Sequence, residues 1–552
     1  MAFSAAQTEG HSVKPVQISL SASSAGGAVS APHALAADAG AAILRSGGNA
    51  IEAGIAVAST LSVVYPHMNG LGGDAFWLIS DGDAHTVRGL AAAGPAGRCY
   101  SAALFRDRGL REIPFRGGLS AMTVPGAVGG WGAAFEFSRD CWQGRKSWSA
   151  VLESAYCHAA TGFPLSPNQS HTLTRFGDVL RQQPGFAAQY MPGGEILPTG
   201  RLWSQRALAQ TLGTLAENGA EAFYHGPLAW QMAKGLKAAG SLLTEADLWA
   251  FKPRWVEPLR IAFGVGEAIN MPPPTQGVAS LMILALLNRV GLNSGDHLGA
   301  ELIHNTVEIT KLAFQYRDQL VADPGFGEVD IASLLNPDFL DDCAREVHPL
   351  IAMPLPPIGL AKGDTVWFGV VDGQGRMVSV IQSLYHEFGT GVVAGNTGVL
   401  WNNRGCAFSL APGHVNVLEP GKRPFHTLNP ALYAEQGRVQ LAYGSMGGDG
   451  QPQTQAALLM RAKHYGLSLA ESVISPRWLY GRTWGEASAG LRLERRYSDA
   501  VFGDLCRWGH QVSWVPGYSD FMGHAGIVAR DSQGGFAGAA DPRSDGGVAV
   551  VP

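Results

Sequence analysis

"GDTVWFGVVDGQGRMVSV", residues Gly363–Val380, is the stretch that decides how the fold of this 552-residue chain is interpreted. Two apolar runs, TVWFGVV and RMVSV, flank a Gly-containing turn, and this pattern predicts a β-hairpin. The preceding stretch HPLIAMPLPPIGLAKGD, rich in Pro and Gly, predicts irregular chain that ends at Asp364. Thr365 therefore stands where an irregular tether meets a buried strand.

The chain on both sides of this hairpin predicts a mixed α/β protein. An Ala/Val-rich region predicts one helix that ends at Gly47 and a second that ends near Tyr65, followed by a glycine turn and a strand. A long helix is predicted over roughly His297–Val321. A second pair of strands is predicted near Val439–Tyr443 and Ala525–Ala529.

The composition excludes several classes of partner. Charged residues make up only 15% of the chain, below the roughly 25% of ordinary domains, and the 72 glycines favour a large, closely packed interior. The net charge is -5 without a basic run of five residues, so neither nucleic acid nor an anionic membrane is expected as a partner. No signal-peptide pattern and no run of 18 apolar residues is found, and the six cysteines lack CxxC spacing. We therefore expect a cytoplasmic protein with free thiols.

The common cofactor and hydrolase motifs do not fit. GLGGDAFW matches GxGxxA through Gly70, Gly72 and Ala75, but the predicted helix precedes it and the predicted strand follows it, the reverse of a dinucleotide-binding turn. HExxH, paired CxxC, EF-hand and GxSxG patterns are missing from the sequence. No metal and no cofactor is therefore predicted.

Thr365 offers a different route to catalysis. If the chain were cut before it, this threonine would carry both a hydroxyl nucleophile and an α-amine with a pKa near ~7.7 to 8.0, which can act as its own base. The plainer interpretation is a threonine that begins a strand, and this segment alone favours it because Thr is common in strands.

Nine sequence blocks in the same order carry a family resemblance. The chain resembles the γ-glutamyltranspeptidase family through APHALAADAGAAILRSGGNAIEAGIAV, YPHMNGLGGDAFWL, MPPPTQGVASLMILALLN, KLAFQYRDQLVADPGF, GDTVWFGVVDGQGRMVS, FGTGVVAGNTGVLWNNR, GKRPFHTLNPAL, GSMGGDGQPQ and DPRSDGG. The resemblance implies a four-layer αββα sandwich, the fold of the N-terminal-nucleophile (Ntn) hydrolases. It also implies one precursor that cuts itself into two interleaved subunits.

The resemblance assigns roles to residues of this chain. Cleavage between Asp364 and Thr365 would leave a large subunit, residues 28–364, preceded by a flexible tail, residues 1–27, and a small subunit, residues 365–552; together they would form one structural domain. Thr365 matches the family's nucleophile, and Ser383 takes the place of the second threonine that supports it. Gly447 and Gly448 match the oxyanion hole, where main-chain N–H groups approach the developing charge. Whether two such subunit pairs form a dimer stays open.

The substrate pocket departs from the family pattern. Relatives that act on γ-glutamyl compounds bind the substrate's α-ammonium through a carboxylate, and the matching position here is Ala407. The preceding polar position holds Arg404, and the serine pair that binds the α-carboxylate becomes His426 and Thr427.

The family's carboxylate-binding arginine is also displaced. Its position, four residues before Pro95, holds Ala91, and Arg88 is three residues away from it. Tyr385 is expected beside the pocket, either touching the substrate or packing.

A pocket with more positive charge and no ammonium site favours a small carboxylate-bearing amide. Within the family this pattern resembles the amidohydrolases of the oxamate-hydrolysing type. Three alternatives stay open: a γ-glutamyltransferase or glutathione hydrolase, a glutaryl-type cephalosporin acylase, and a non-enzymatic homologue that is never cleaved.

Overall fold

The computed structural model describes most of the chain, namely residues 24–292, 295–327, 329–354, 364–481, 490–531 and 533–552. Within these ranges no helix is both long enough and apolar enough to cross a bilayer.

The strands of the described chain group into two large sheets and two small ones. In chain order they are β1 (Gly27–Ala31), β2 (Asp74–Ser80), β3 (Arg88–Ala92), β4 (Phe163–Pro164), β5 (Leu202–Trp203), β6 (Arg254–Val256), β7 (Leu259–Phe263), β8 (Gly266–Asn270), β9 (Asp364–Asp372), β10 (Met377–Tyr385), β11 (Ala431–Glu435), β12 (Arg438–Ser445), β13 (Trp478–Tyr480), β14 (Leu491–Glu494), β15 (Val512–Val515), β16 (Ala525–Arg530), β17 (Phe536–Ala540) and β18 (Gly547–Val551).

Helices make up the other main regular elements of the described chain. In chain order they are α1 (Ala34–Arg45), α2 (Ala50–Val64), α3 (Ala102–Arg106), α4 (Ala127–Trp142), α5 (Trp148–Thr161), α6 (Pro167–Leu180), α7 (Phe186–Tyr190), α8 (Arg206–Asn218), α9 (Gly226–Ala238), α10 (Glu245–Trp249), α11 (Gly277–Val290), α12 (Ala300–Leu320), α13 (Ile331–Leu334), α14 (Pro337–Glu346), α15 (Gly450–Leu459), α16 (Leu469–Ile474) and α17 (Asp499–Arg507).

The two large sheets are antiparallel throughout. The first has the strand order β18-β1-β9-β10-β2-β3-β6, and the second has the order β17-β16-β12-β11-β8-β7. The predicted hairpin is confirmed as β9 and β10, and the predicted second strand pair as β12 and β16. Strand β9, which begins the predicted small subunit, lies between β1 and β10 in the first sheet. Both sheets therefore combine strands from before and after residue 365.

The sheets pack face to face through an apolar layer in which Trp367 is the largest side chain. Its indole lies so close to Gly444 of β12 and Gly526 of β16 that a Cβ at either position would sit 2.2 or 2.4 Å from it. Its Nε1 donates a hydrogen bond to Ser379 Oγ at 3.0 Å. The glycines thus let β9 of one sheet approach β12 and β16 of the other.

Two further apolar clusters lie outside this pair of sheets. One joins α1, α2, α4 and α5 to the outer face of the first sheet, and the other joins α11, α12 and α15 to the outer face of the second. The order helix, sheet, sheet, helix confirms the predicted four-layer αββα sandwich.

The predicted helices, N-terminal tail and Pro-rich tether can be compared with these elements. The predicted helices ending at Gly47 and near Tyr65 are α1 and α2, and the long helix is α12. Of the predicted tail, residues 1–27, residues 1–23 lie outside the described residues. The end of that tail is ordered, because Gly26 N–H donates to Val551 and Gly27 begins β1. Most of the Pro-rich tether, residues 355–363, also lies outside the described residues.

Candidate functional site

Thr365 lies at the start of β9 in the centre of the first sheet, and in the intact chain it is fully buried. The pairing of β9 with β10 is interrupted opposite it, where a bulge leaves Ser383 and Leu384 between the paired residues Gln382 and Tyr385. The bulge turns Ser383 toward Thr365, and their hydroxyl oxygens lie 3.4 Å apart. Ser383 Oγ also accepts a hydrogen bond from the Tyr385 N–H at 2.7 Å. The two predicted hydroxyl groups are therefore neighbours.

The packing of the two sheets brings Gly447 and Gly448 to the end of the sandwich that holds Thr365. Gly369 packs against Val528, and Trp367, two residues earlier in β9, packs against Gly526 and Gly444. Continuing this register by two more residues brings Thr365 to the level of Met446, which directly precedes the two glycines.

The conformation of these glycines suits an oxyanion hole. Their φ angles are 120° and 52°, values that glycine adopts without strain. Among the described residues no acceptor bonds to the N–H of Gly447 or Gly448. Helix α15 begins two residues later, at Gly450, and its N-terminus adds a partial positive charge. The loop thus offers main-chain donors to a negatively charged oxygen.

A buried hydrogen-bond network holds this loop, and sequence reasoning missed it. Arg317 of α12 donates to Asp449 at 2.7 Å and to Gln276 Oε1 at 2.9 Å. Gln276 Nε2 in turn donates to the carbonyl groups of Gly448, at 2.9 Å, and Thr427, at 2.7 Å. The network ties the glycine loop to the segment that carries the predicted pocket residues.

Four of the predicted pocket residues form one buried group. The Arg404 guanidinium lies 4.0 Å from the centre of the Tyr385 ring, and its Nη1 donates to Thr427 Oγ1 at 3.3 Å. Neither Nε nor Nη2 of Arg404 has a hydrogen-bond partner in the described structure, although the side chain is only 1% exposed. His426 is fully buried against Phe76, and both its ring nitrogens also lack a partner among the described residues.

Asp74, at the first position of β2, completes this group and was not predicted. It pairs with Ser383 across the sheet. Its Oδ1 accepts hydrogen bonds from the N–H of Gly126, at 3.1 Å, and Gly94, at 3.4 Å. Its Oδ2 lies 3.9 Å from His426 Nε2 and has no hydrogen bond within the described chain. The sequence signal for it is an acid directly after GLGG at the start of an apolar strand.

Burial shifts the titration of all three ionisable groups here. It raises the pKa of Asp74 to about 7, against the opposing charge of Arg404. It lowers the pKa of Arg404 to about 10, against the opposing effects of Tyr385 and Asp74. It lowers the pKa of His426 well below its usual value, and the charge of Arg404 lowers it further. His426 is therefore neutral at pH 7, and its contact with Asp74 is not an ion pair.

Two sequence-based expectations change. The argument that an ammonium group would meet no anion left out Asp74, a carboxyl group that a distant part of the chain brings close to Arg404. Arg88 does not join the group: it lies exposed at the outer end of β3 with its guanidinium 5.9 Å from the centre of the Phe137 ring. The opposite end of β3, at Ala92, lies beside the start of β2. The structure thus places Arg88 outside the candidate site.

A cavity of about 180 Å³ adjoins the buried group. Tyr385 and Ala407 line it together with Arg317, Phe408 and Phe425, and it opens to solvent. Tyr385 therefore contacts Arg404 and also lines the cavity. Its φ of 84° is rare for a bulky residue, and such strained backbone clusters at functional sites.

Three potential metal ligands lie elsewhere, in the outer helical layer of the second sheet. They are His304, Glu308 and His510, whose ligand atoms all lie within 4.8 Å of one another. The ammonium group of Lys311 binds Glu308 at 2.6 Å and already supplies a cation to this cluster.

Comparisons with known proteins show the family and the fold of this chain. A family model described as Gamma-glutamyltranspeptidase matches residues 36–551. The chain is 46% identical to the oxamate amidohydrolase proenzyme of Klebsiella pneumoniae, over 94% of this chain and 97% of the relative. It is 39% identical to a glutathione hydrolase-like proenzyme of Bacillus subtilis, with the same coverage. A cephalosporin acylase from Bacillus halodurans has a crystal structure that matches with a TM-score of 0.87 at 31% identity, covering 99% of both chains.

Proposed function

Since the chain belongs to the γ-glutamyltranspeptidase family and is an amide hydrolase, we propose that it cuts itself before Thr365 and then hydrolyses a small amide of the oxamate type. Such a substrate carries a carboxylate but no ammonium group. The observation that carries this proposal is the edge of the Arg404 guanidinium formed by Nε and Nη2, which is buried and without a partner among the described residues.

That edge has the geometry of a carboxylate site. Two parallel N–H groups of a guanidinium match the two oxygens of a carboxylate, and the resulting bidentate pair is among the strongest polar contacts in proteins. A buried donor without a partner costs free energy, so a ligand that supplies both acceptors is strongly favoured. The similarity to a relative named as an oxamate amidohydrolase supports the same substrate class.

The cleavage step follows from the position of Thr365. Its hydroxyl oxygen attacks the carbonyl carbon of Asp364, the C–N bond between the two residues breaks, and an ester and a free α-amine result. Water then hydrolyses the ester. The names of the relatives, which are proenzymes, support this step. Thr365 is fully buried in the intact chain, so we expect its hydroxyl group to become accessible to a substrate only after cleavage.

Turnover would use the same atoms. The free amine of Thr365 takes the hydroxyl proton while the oxygen attacks the substrate amide, and the N–H groups of Gly447 and Gly448 stabilise the negatively charged oxygen. The proton passes to the leaving nitrogen, ammonia departs, and water hydrolyses the acyl-enzyme. Ser383 supports the nucleophile through the adjacent hydroxyl group.

Asp74 favours a second candidate, a γ-glutamyl hydrolase. Arg404 could hold an α-carboxylate while an ionised Asp74 accepts a hydrogen bond from the α-ammonium group. The relatives named as glutathione hydrolases keep this candidate open.

A denaturing gel and a comparison of substrates on the purified protein decide between the two candidate functions. We expect two fragments on a denaturing gel with Thr365 as a new N-terminus, and release of ammonia from oxamate. γ-Glutamyl-p-nitroanilide and a glutaryl amide serve as competing substrates. Faster turnover of the γ-glutamyl compound than of oxamate would refute the proposal and support the second candidate.

An inactive variant shows whether the measured activity comes from this protein or from a contaminating enzyme. Thr365→Ala removes the nucleophile, so it should remain a single 58.1 kDa chain without activity. Ammonia release by this variant at the wild-type rate would exclude Thr365 as the nucleophile.

A further inference from the structure

Asp74 is a buried carboxyl group in which one oxygen accepts hydrogen bonds and the other has no hydrogen-bond partner in the described structure. Two main-chain N–H groups bind Oδ1, whereas Oδ2 has no hydrogen-bond partner in the described part of the chain and the side chain is 1% exposed. Polar atoms buried this deeply are normally bonded in proteins, so an exception requires an explanation. The groups around Oδ2 suggest such an explanation.

Oδ2 lies near His426 and Arg404, on the strand next to the candidate nucleophile pair. Asp74 pairs directly with Ser383 of β10, and Ser383 lies beside Thr365 of β9. Adjacent strands are about 4.8 Å apart, so Asp74 stands roughly 10 Å from Thr365, on the side of Ser383 opposite to it. A molecule of a few heavy atoms spans this distance.

The charged and titratable groups around Asp74 come from several elements. Arg404 is the cation that acts on it. His426 is neutral, since burial and the charge of Arg404 lower its pKa well below the usual value. Tyr224 is also neutral, since burial raises its pKa well above the usual value, and its hydroxyl group is bonded to Pro125 and Gly129. Tyr385 packs against the Arg404 guanidinium. Asp74 is thus the one carboxyl group among the side chains of the described structure that act on the Arg404 charge, the others being Tyr385 and Cys406.

We propose that Asp74 is a specificity-determining residue, which must be protonated when a substrate carboxylate occupies Arg404. Two ionised carboxylates beside one buried guanidinium repel each other, so the bound substrate draws a proton onto Asp74. The protonated Oδ2 then donates a hydrogen bond to the substrate carboxylate. The site would therefore accept a monocarboxylate without an ammonium group and exclude dicarboxylates. This inference rests on the proposed carboxylate site at Arg404.

The proposal implies proton uptake on binding. Burial raises the pKa of Asp74 to about 7. The binding-competent, protonated form is therefore fully present well below pH 7 and is lost as the pH rises through this value. About half of the molecules are competent at pH 7 and roughly 1% at pH 9, so the apparent affinity for a monocarboxylate falls about 50-fold over this range.

Competitive inhibition by pyruvate tests the proposal. Pyruvate has the shape of oxamate with a methyl group in place of the amide nitrogen, and its inhibition constant can be measured against any amide that the mature enzyme hydrolyses. We expect the constant to rise about 50-fold from pH 7 to pH 9 in the wild type and to stay nearly constant in Asp74→Asn. The α-amine of Thr365 also titrates in this range, but it does so in both proteins. Asp38→Asn, an exposed site on α1, should behave as the wild type.

Three results would overturn the inference. The first is a pyruvate inhibition constant that does not change with pH in the wild type, and the second is an inhibition constant that rises in Asp74→Asn as much as in the wild type. The third is no inhibition by pyruvate at pH 6. Because the variant could fail to mature, proton uptake is measured on the wild type by calorimetry of pyruvate binding in buffers of different ionisation enthalpy. We expect nearly one proton taken up at pH 8.5, and zero uptake would also refute the proposal. Failure to hydrolyse oxamate, by contrast, would refute the proposed function while leaving this pH dependence to be tested on the true substrate.

Discussion

Replacing Arg404 by methionine should lower activity and at the same time leave the protein as stable as before, or more stable. In the unliganded site the guanidinium forms one hydrogen bond, of 3.3 Å, to Thr427, and two of its nitrogens have no partner among the described residues. Burial lowers its pKa from 12.5 to about 10, so the folded state loses about 3 kcal/mol by keeping this charge at pH 7. A methionine of similar length avoids this cost.

The effect on catalysis has the opposite sign. A substrate carboxylate that enters the pocket of Arg404→Met loses both charge-assisted hydrogen bonds and is left buried without a counter-ion, which costs about 3 to 5 kcal/mol. At 1.36 kcal/mol for each factor of ten, kcat/KM for oxamate should fall between about 10² and 10⁴-fold. Arg404→Lys keeps the charge but not the bidentate geometry, so it should recover only part of this loss.

The assay combines ammonia release with thermal unfolding of the mature, two-chain protein. We expect a large loss of kcat/KM in Arg404→Met with a Tm that is unchanged or a few degrees higher. A fall in Tm together with retained activity would show that Arg404 serves the fold and that the substrate carboxylate binds elsewhere. Processing is checked on a denaturing gel, since an uncleaved variant would lose activity for another reason.

Three further outcomes follow from the geometry. Gly447→Ala should reduce kcat/KM by about 10² to 10³-fold, because a side chain at φ 120° is strained and the N–H donor shifts from its place; a loss below threefold would contradict the oxyanion-hole role. Ser383→Ala leaves the buried Tyr385 N–H without its acceptor at 2.7 Å, so the free energy of unfolding should fall by about 1 to 3 kcal/mol and cleavage before Thr365 should slow, as followed by denaturant melts and a time course on gels. Arg317→Ala removes the buried ion pair with Asp449 and should lower the free energy of unfolding by about 3 to 5 kcal/mol, whereas Arg345→Ala, at an exposed pair with Asp342, should change it by less than about 1 kcal/mol.

The hairpin and the first two helices could be predicted from the sequence alone. Each depends on neighbours along the chain: β9 and β10 on apolar runs joined by a tight turn, and α1 on the glycine that follows it. The roles of Thr365, Ser383 and the glycine pair came from the family blocks, because the local segment favoured an ordinary strand threonine, and they stay predictions.

The pocket was predicted only in part. Arg404, His426 and Thr427 were found because they replace residues of matching family blocks, and the structure brings them together. Arg88 was an error, since a shift of three positions along a strand moves a side chain about 10 Å and to the opposite face.

Asp74 and the free edge of Arg404 were decided by the tertiary structure alone. The register between β2 and β10 sets Asp74 beside Ser383, although more than 300 residues separate them in the chain. Burial then sets the charge of each group, because the free energy of an ion depends on the dielectric environment and the partners around it. A local sequence pattern records which side chains are available, whereas the packing of distant strands determines which of them share one water-free site and which protons they hold there.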